Sequence, residues 1–293
     1  MPGVISTLMK AQISLVAPLL AALDLERQRV LQDKMAALGT RVAANRTERH
    51  AVPLPHSEAS WVFPLGGRVA RAMLYLHGGG YIMGTLEHAQ GYGAVLALET
   101  GRAALCLGYR LAPEHPFPAA LNDAVDAYRL MLTRYEPRDI ALVGESAGGG
   151  LCFCLALKLR ELGLPLPAGI VALSPWVDLA QSLEACRLLG KDPVLSCEAL
   201  EQAASRYLAG HPGDDPLVSP LYGDLTGLPP SLIVTGGDEI LLPESREMQQ
   251  RLLRAGVTCS LHVEEGMWHV YPLYPVPEAR HAQALLREFL SGL

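Results

Sequence analysis

The sequence predicts an α/β fold: one sheet of about eight strands, mostly parallel, with helices on both faces. Three observations predict it. From about Ala103 onward, short apolar runs of β type alternate with longer stretches of helical spacing, which is the pattern of parallel strands joined by crossover helices. At 293 residues the chain is long for one ordinary domain, yet α/β units of this length often form around a single large sheet. Half the residues are hydrophobic and 18% are charged, with 28 glycines and 22 prolines, a composition that fills a large core and allows many tight turns.

Taken in order, Arg49–Leu54 and Ser60–Leu65 read as a leading hairpin and Met73–Leu76 as a buried strand. The later strands are Ala103–Tyr109, Asp139–Val143, Gly169–Leu173, Ser231–Thr235 and Val257–Val263. Helical spacing of apolar residues marks Glu87–Thr100, Ala119–Arg134, Ala147–Leu162, Pro243–Ala255 and Pro277–Phe289. Two segments stand outside this alternation: residues 1 to about 45, helical and amphipathic, and about 180–222, a long excursion between two strands. Additions of this kind cover active sites, so the two read as parts of one helical cap on a single domain spanning 1–293.

A net charge of −6 leaves no basic footprint, so neither nucleic acid nor an anionic membrane surface is the expected partner. The six cysteines (106, 152, 154, 186, 197 and 259) lack Cys-x-x-Cys spacing and nearby His pairs, so no metal is expected. They read as six reduced thiols, in line with a cytoplasmic location. Near the N-terminus, Ile13–Leu23 is apolar but contains Pro18 and is short of the roughly 20 residues a bilayer needs. It reads as a covering helix, not an anchor.

The sharpest local signal is Gly144-Glu145-Ser146-Ala147-Gly148, directly after a strand and directly before a helix. In this setting G-x-S-x-G is a nucleophile turn: glycines flank the serine where side chains would clash, and Ser146 is raised above the sheet edge at a helix N-terminus. A second signal, His77-Gly78-Gly79-Gly80, follows the strand Met73–Leu76. Its backbone N–H groups suit the oxyanion of a tetrahedral intermediate, two of the glycines acting with the N–H of Ala147. No Lys-Ser/Thr follows, as a phosphate-binding loop would require. His77 reads as a brace for this loop and not as the base. Of the nine histidines, those before Ser146 are excluded by the order serine, acid, histidine. His211 falls in the cap, His262 within a strand and His281 in the last helix, which leaves His269, in the loop after Val257–Val263, as general base. For the acid, Asp238 closes the strand Ser231–Thr235 at the same sheet edge; the adjacent Glu239 is read as pointing elsewhere, and Asp178 follows the wrong strand.

With these residues in view, the chain resembles the bacterial hormone-sensitive lipase-like esterases of the α/β-hydrolase superfamily. The likeness rests on His77-Gly-Gly-Gly80, Tyr109-Arg-Leu-Ala-Pro-Glu-His-Pro-Phe-Pro118, Gly144-Glu-Ser-Ala-Gly-Gly149, Ser174-Pro-Trp176, Asp238 and His269, together spanning about Leu74 to Tyr271. The family commonly has Asp where Glu145 stands. The resemblance implies an α/β-hydrolase fold, a cap from the N-terminus and a mid-chain insertion, no cofactor or metal, and Gly79, Gly80 and Ala147 as oxyanion donors. It also suggests a homodimer through the edge strand near Val257–Val263. The wording around Gly144–Gly150 and Gly266–His269 is closest to acetyl esterases of the heroin-esterase type and to terpene-lactone hydrolases.

The expected reaction is cleavage of short-to-medium acyl esters through an acyl-enzyme, with Met83, Trp176, Leu188 and Met267 as candidate pocket residues. An amidase or a lactone hydrolase could use the same triad. A ligand-binding protein on the same scaffold, like the gibberellin receptor that resembles this family, would have lost the catalytic histidine, whereas His269 is present.

Overall fold

The computed structural model describes residues 2–32, 34, 45–66, 69–180, 186 and 192–293. Eight strands form one sheet: β1 (Thr47–Pro53), β2 (Glu58–Pro64), β3 (Ala72–Leu76), β4 (Ala103–Gly108), β5 (Ile140–Glu145), β6 (Gly169–Leu173), β7 (Ser231–Gly236) and β8 (Cys259–Glu264). Their order is β1-β2-β4-β3-β5-β6-β7-β8, and only the β1–β2 and β2–β4 pairings are antiparallel. The helices bounded within the described residues include α1 (Val4–Ala21), α2 (Leu86–Thr100), α3 (Ala119–Leu132), α4 (Ala147–Glu161), α5 (Cys197–Leu208), α6 (Leu242–Arg254) and α7 (Pro277–Ser291).

Period-2 alternation sorts the strand residues onto two cores. Leu74, Leu105, Leu142, Ile170 and Ile233 face Leu121, Tyr128, Leu151, Phe153, Met248 and Leu252 of α3, α4 and α6. Met73, Tyr75, Val143, Val171 and Val234 face Tyr92, Leu96, Leu286 and Leu290 of α2 and α7. With both faces covered, the central strands need apolar residues at every position, as β3 and β6 show. Each fully buried large side chain contributes about 1.5–3 kcal/mol, which makes this double core the main source of stability. Parallel pairing also aligns the C-terminal ends of β3, β5 and β7, so the loops that follow them open on one sheet edge.

The α1 helix departs from expectation. It runs 18 residues from Val4, has a mean hydropathy of 1.6, and by length and composition is apolar enough to cross a membrane. Its polar residues are held by the rest of the protein. Gly3 N–H donates to Glu278 of α7 at 2.8 Å, the Ser6 hydroxyl bonds the same carboxylate, and Lys10 pairs with Asp238. The outer face keeps Val4, Ile5, Leu8, Leu15 and Leu19 exposed.

Further along, Arg29, in a helical run over residues 25–32, donates to the carbonyls of Ile82 (2.7 Å) and Ala112 (2.8 Å) and forks onto Glu114. In the mid-chain excursion, α5 lies against the loop after β3: Tyr207 stacks on Tyr81 with centroids 3.9 Å apart, and its carbonyl accepts from Phe117 N–H at 2.8 Å. Residues 35–44, 181–185 and 187–191, with Leu188, lie outside the described residues. The expectation of six reduced thiols is overturned, because Cys186 and Cys197 form a disulfide that ties the excursion to the first residue of α5. The thiols therefore give no support to a cytoplasmic location. Cys106, Cys152, Cys154 and Cys259 are free and buried.

Candidate active site

The chain turns from β5 into α4 through Ser146, whose backbone takes φ 55° and ψ −123°. A non-glycine residue is held there only when its surroundings over-determine it. Three backbone bonds do so: Ser146 N–H donates to Leu173 O at 2.8 Å, and Ser146 O accepts from Gly150 N–H (3.1 Å) and Trp176 N–H (3.0 Å). Gly148 is required by close approach, since a Cβ there would stand 2.0 Å from Leu76 O.

His269 Nε2 lies 2.9 Å from Ser146 Oγ, and both residues are buried. The imidazole has lost solvent, and burial alone pushes its pKa down to about 3. It therefore rests neutral at ordinary pH, as a general base must.

The acid differs from the sequence expectation. Successive residues after β7 face opposite ways: the Asp238 side chain is 42% exposed and pairs with Lys10, whereas Glu239 is fully buried with Oε2 3.8 Å from His269 Nδ1. The turn from β7 directs the first carboxylate out toward α1 and the second in beneath the imidazole. Asp238 is thus corrected to an ion-pair partner of the N-terminal helix.

Glu239 accepts from Ser174 Oγ (2.6 Å), Gly236 N–H (3.2 Å) and Thr235 Oγ1. Burial raises its pKa to about 8 while these donors pull it down. At 3.8 Å its contact with Nδ1 is longer than a hydrogen bond, and Nδ1 has no partner among the described residues. Catalytic hydrogen bonds are often this long before substrate binds.

Two residues support the acid: Ser174, known from the sequence only as part of the Ser174-Pro-Trp176 motif, and Asp192, not singled out in the sequence. Ser174 donates to Glu239 while its oxygen accepts from Val270 N–H at 3.0 Å, so one hydroxyl joins the acid to the histidine loop. Asp192 accepts from Val194 N–H (2.8 Å) and Leu195 N–H (3.3 Å), and the N–H groups of Ile240 and His269 also favour its charge, against burial that lifts it to about 6. Asp192 stands in no motif with a local signature, and the Ser174-Pro-Trp176 motif does not reveal that its hydroxyl bonds Glu239.

The Gly78–Gly80 turn faces Ser146. Gly79 (φ 107°) and Gly80 (φ 62°) take conformations that favour glycine, and a Cβ on Gly79 would meet Met83 O at 2.4 Å. Their N–H groups donate to no acceptor among the described residues. Ala147, the first residue of α4, adds a third N–H from the helix N-terminus.

Glu145 fixes this loop from below, taking Gly78 N–H at 2.6 Å and the Tyr75 hydroxyl at 2.5 Å. His77 stacks on Tyr109 at 4.1 Å, its Nδ1 lies 2.7 Å from Gly78 O, and burial lowers its pKa to about 3. In this position it braces the loop. Arg110 chelates buried Asp123 and Glu114 holds Arg29, so both support the neighbouring segment.

Trp176, Leu179, Leu200 and Ala204 line a narrow cleft that reaches the Cys186–Cys197 bridge. Ala203, also on α5, would touch a Cβ placed on Gly80 at 3.1 Å. Met83 is partly buried at this face, but Met267 is fully buried in the core on the opposite side of the sheet and does not line the cleft.

Comparison with known proteins agrees with the fold. A family model described as alpha/beta hydrolase fold matches residues 73–273. An acetyl-hydrolase of Streptomyces hygroscopicus is 41% identical over 82% of this chain and 81% of its own. The crystal structure of an esterase from the bacterial hormone-sensitive lipase family superposes with a TM-score of 0.87 at 37% identity, covering 96% of each chain. The structure of EstE5 soaked with p-nitrophenyl butyrate superposes at 0.89 with 34% identity over 98% of each chain.

Proposed function

The chain belongs to the alpha/beta-hydrolase fold family, among the bacterial hormone-sensitive lipase-type esterases, and on that premise we propose that it cleaves short-to-medium acyl esters with Ser146, His269 and Glu239 as its catalytic triad. It is a carboxylic-ester hydrolase; the triad, the acyl-enzyme and the acyl range are the proposal. The observation that carries it is the 2.9 Å contact between Ser146 Oγ and His269 Nε2 at a strained strand-to-helix turn.

In the first half-reaction His269 Nε2 takes the hydroxyl proton as Ser146 Oγ bonds to the ester carbonyl carbon. The carbonyl oxygen becomes an oxyanion held by the N–H groups of Gly79, Gly80 and Ala147, each such donor contributing about 3 kcal/mol to the transition state. Glu239 offsets the imidazolium charge through Nδ1. Collapse of the intermediate breaks the bond to the alcohol oxygen, which takes its proton from Nε2. Water then attacks the acyl-enzyme with the same base, releasing the acid and restoring Ser146.

The narrow cleft between Trp176 and α5 supports the acyl range. The name of the Streptomyces relative, an acetyl-hydrolase, and the butyrate ester soaked into EstE5 support the same range. Hydrolysis of p-nitrophenyl esters from about two to sixteen acyl carbons by wild type and Ser146→Ala tests this, short chains being the preferred ester class. Highest rates on short chains, lost in the variant, are expected. Activity surviving in Ser146→Ala would overturn the assignment of the nucleophile, and a preference for long chains would overturn the acyl range.

A further inference from the structure

We propose that His262, Glu264 and His281 form a Zn²⁺ site, remote from the triad, that ties the edge strand β8 to α7. His262 and Glu264 are alternate residues of β8 and project on one face. His281 comes down from the second turn of α7. The donor atoms already converge: His262 Nε2 and His281 Nδ1 each lie 3.1 Å from Glu264 Oε2, and the three ligand atoms are within 4.8 Å of one another.

A tetrahedral zinc with ligand bonds of 2.0–2.1 Å needs its donors about 3.3 Å apart, so two of the three separations are close to the required value. The imidazoles meet edge to face with centroids 4.6 Å apart. Two histidines and one carboxylate suit a borderline ion such as zinc, and the exposed side of His281 leaves a fourth position for water. To coordinate, His262 Nε2 and His281 Nδ1 must each present a lone pair, so each imidazole binds as the neutral tautomer that carries its proton on the other ring nitrogen. The cysteine and local histidine spacings that ordinarily reveal zinc are absent because this set joins a strand to a helix 17 residues later.

The place of the site in the fold gives it a consequence. The Glu264 carbonyl accepts Gly237 N–H at 2.8 Å and Met267 N–H at 3.2 Å, so the residue offering the carboxylate also pins the roots of the loops carrying Glu239 and His269. An ion at this point anchors those roots to α7 without touching substrate.

Calorimetric titration of the untagged protein with Zn²⁺ alone tests the proposal. Wild type is expected to bind one ion per chain and to gain thermal stability as zinc rises. His281→Ala and Glu264→Gln are each expected to weaken binding by at least about tenfold. His281 is exposed, so its replacement leaves the fold intact, which circular dichroism verifies. His211→Ala removes a different imidazole–carboxylate pair and is expected to leave affinity unchanged. No binding up to millimolar zinc, or binding unaltered in His281→Ala, overturns the proposal.

Discussion

Lys10 of α1 closes an ion pair on Asp238, at the end of the turn that carries Glu239. The N-terminal helix is thereby attached to a loop of the catalytic edge by a carboxylate that faces away from the imidazole. Because both partners are part-exposed, the pair contributes about 0–1 kcal/mol. Asp238→Asn is expected to keep kcat/KM within about threefold of wild type and to lower stability by no more than about 1 kcal/mol in urea unfolding.

A second prediction concerns pH. Catalysis requires neutral His269 and ionised Glu239. Burial holds His269 near 3, so it is neutral over the working range, while Glu239 is lifted to about 8. As pH falls through about 8 the carboxylate takes a proton and the countercharge for the imidazolium is lost. The profile of kcat/KM on a neutral ester is therefore expected to rise with pH and flatten above about 8, the limb belonging to the coupled pair. A maximum in the acid range would contradict this.

The disulfide supplies a third. Cys186 and Cys197 are 11 residues apart, and closing a loop of that size stabilises by about 2–3 kcal/mol in the chain-entropy account. Alkylation of the unfolded, unreduced protein followed by mass spectrometry is expected to label the other four cysteines and spare this pair. Cys197→Ser is expected to lower thermal stability and to raise KM, because α5 begins at this residue and walls the cleft.

Close approach at the nucleophile turn gives a fourth. A methyl on Gly148 would stand 2.0 Å from Leu76 O and 2.5 Å from His77 O, so Gly148→Ala must separate α4 from the oxyanion loop. The expected result is a kcat reduced by at least about tenfold and a stability loss of about 1–3 kcal/mol, read by steady-state kinetics and denaturant unfolding.

Much of the fold was legible because hydrophobic period and turn chemistry agree. β3, β5 and β6 are apolar at nearly every position, as strands buried on both faces must be, and Ser146 sits in a motif whose strand–turn–helix setting is itself readable. His269 follows from chain order. The choice between Asp238 and Glu239 does not, since adjacent carboxylates in a turn differ only in direction, and direction is set by backbone dihedrals that composition does not encode. Ser174 and Asp192 act through hydrogen bonds to loops far along the chain, and the Cys186–Cys197 bridge follows no spacing rule. The apolar run of α1 extends before Ile13 because Lys10, which interrupts it in composition, is spent in space on Asp238.

The role of Glu239 as the triad's acid is tested most directly by kcat of Glu239→Gln on p-nitrophenyl butyrate. The amide keeps the size of the side chain but cannot offset an imidazolium, so kcat is expected to fall by about 10⁴-fold with the fold intact by circular dichroism. A Glu239→Gln enzyme retaining near-wild-type kcat would contradict the account and return the role to another carboxylate.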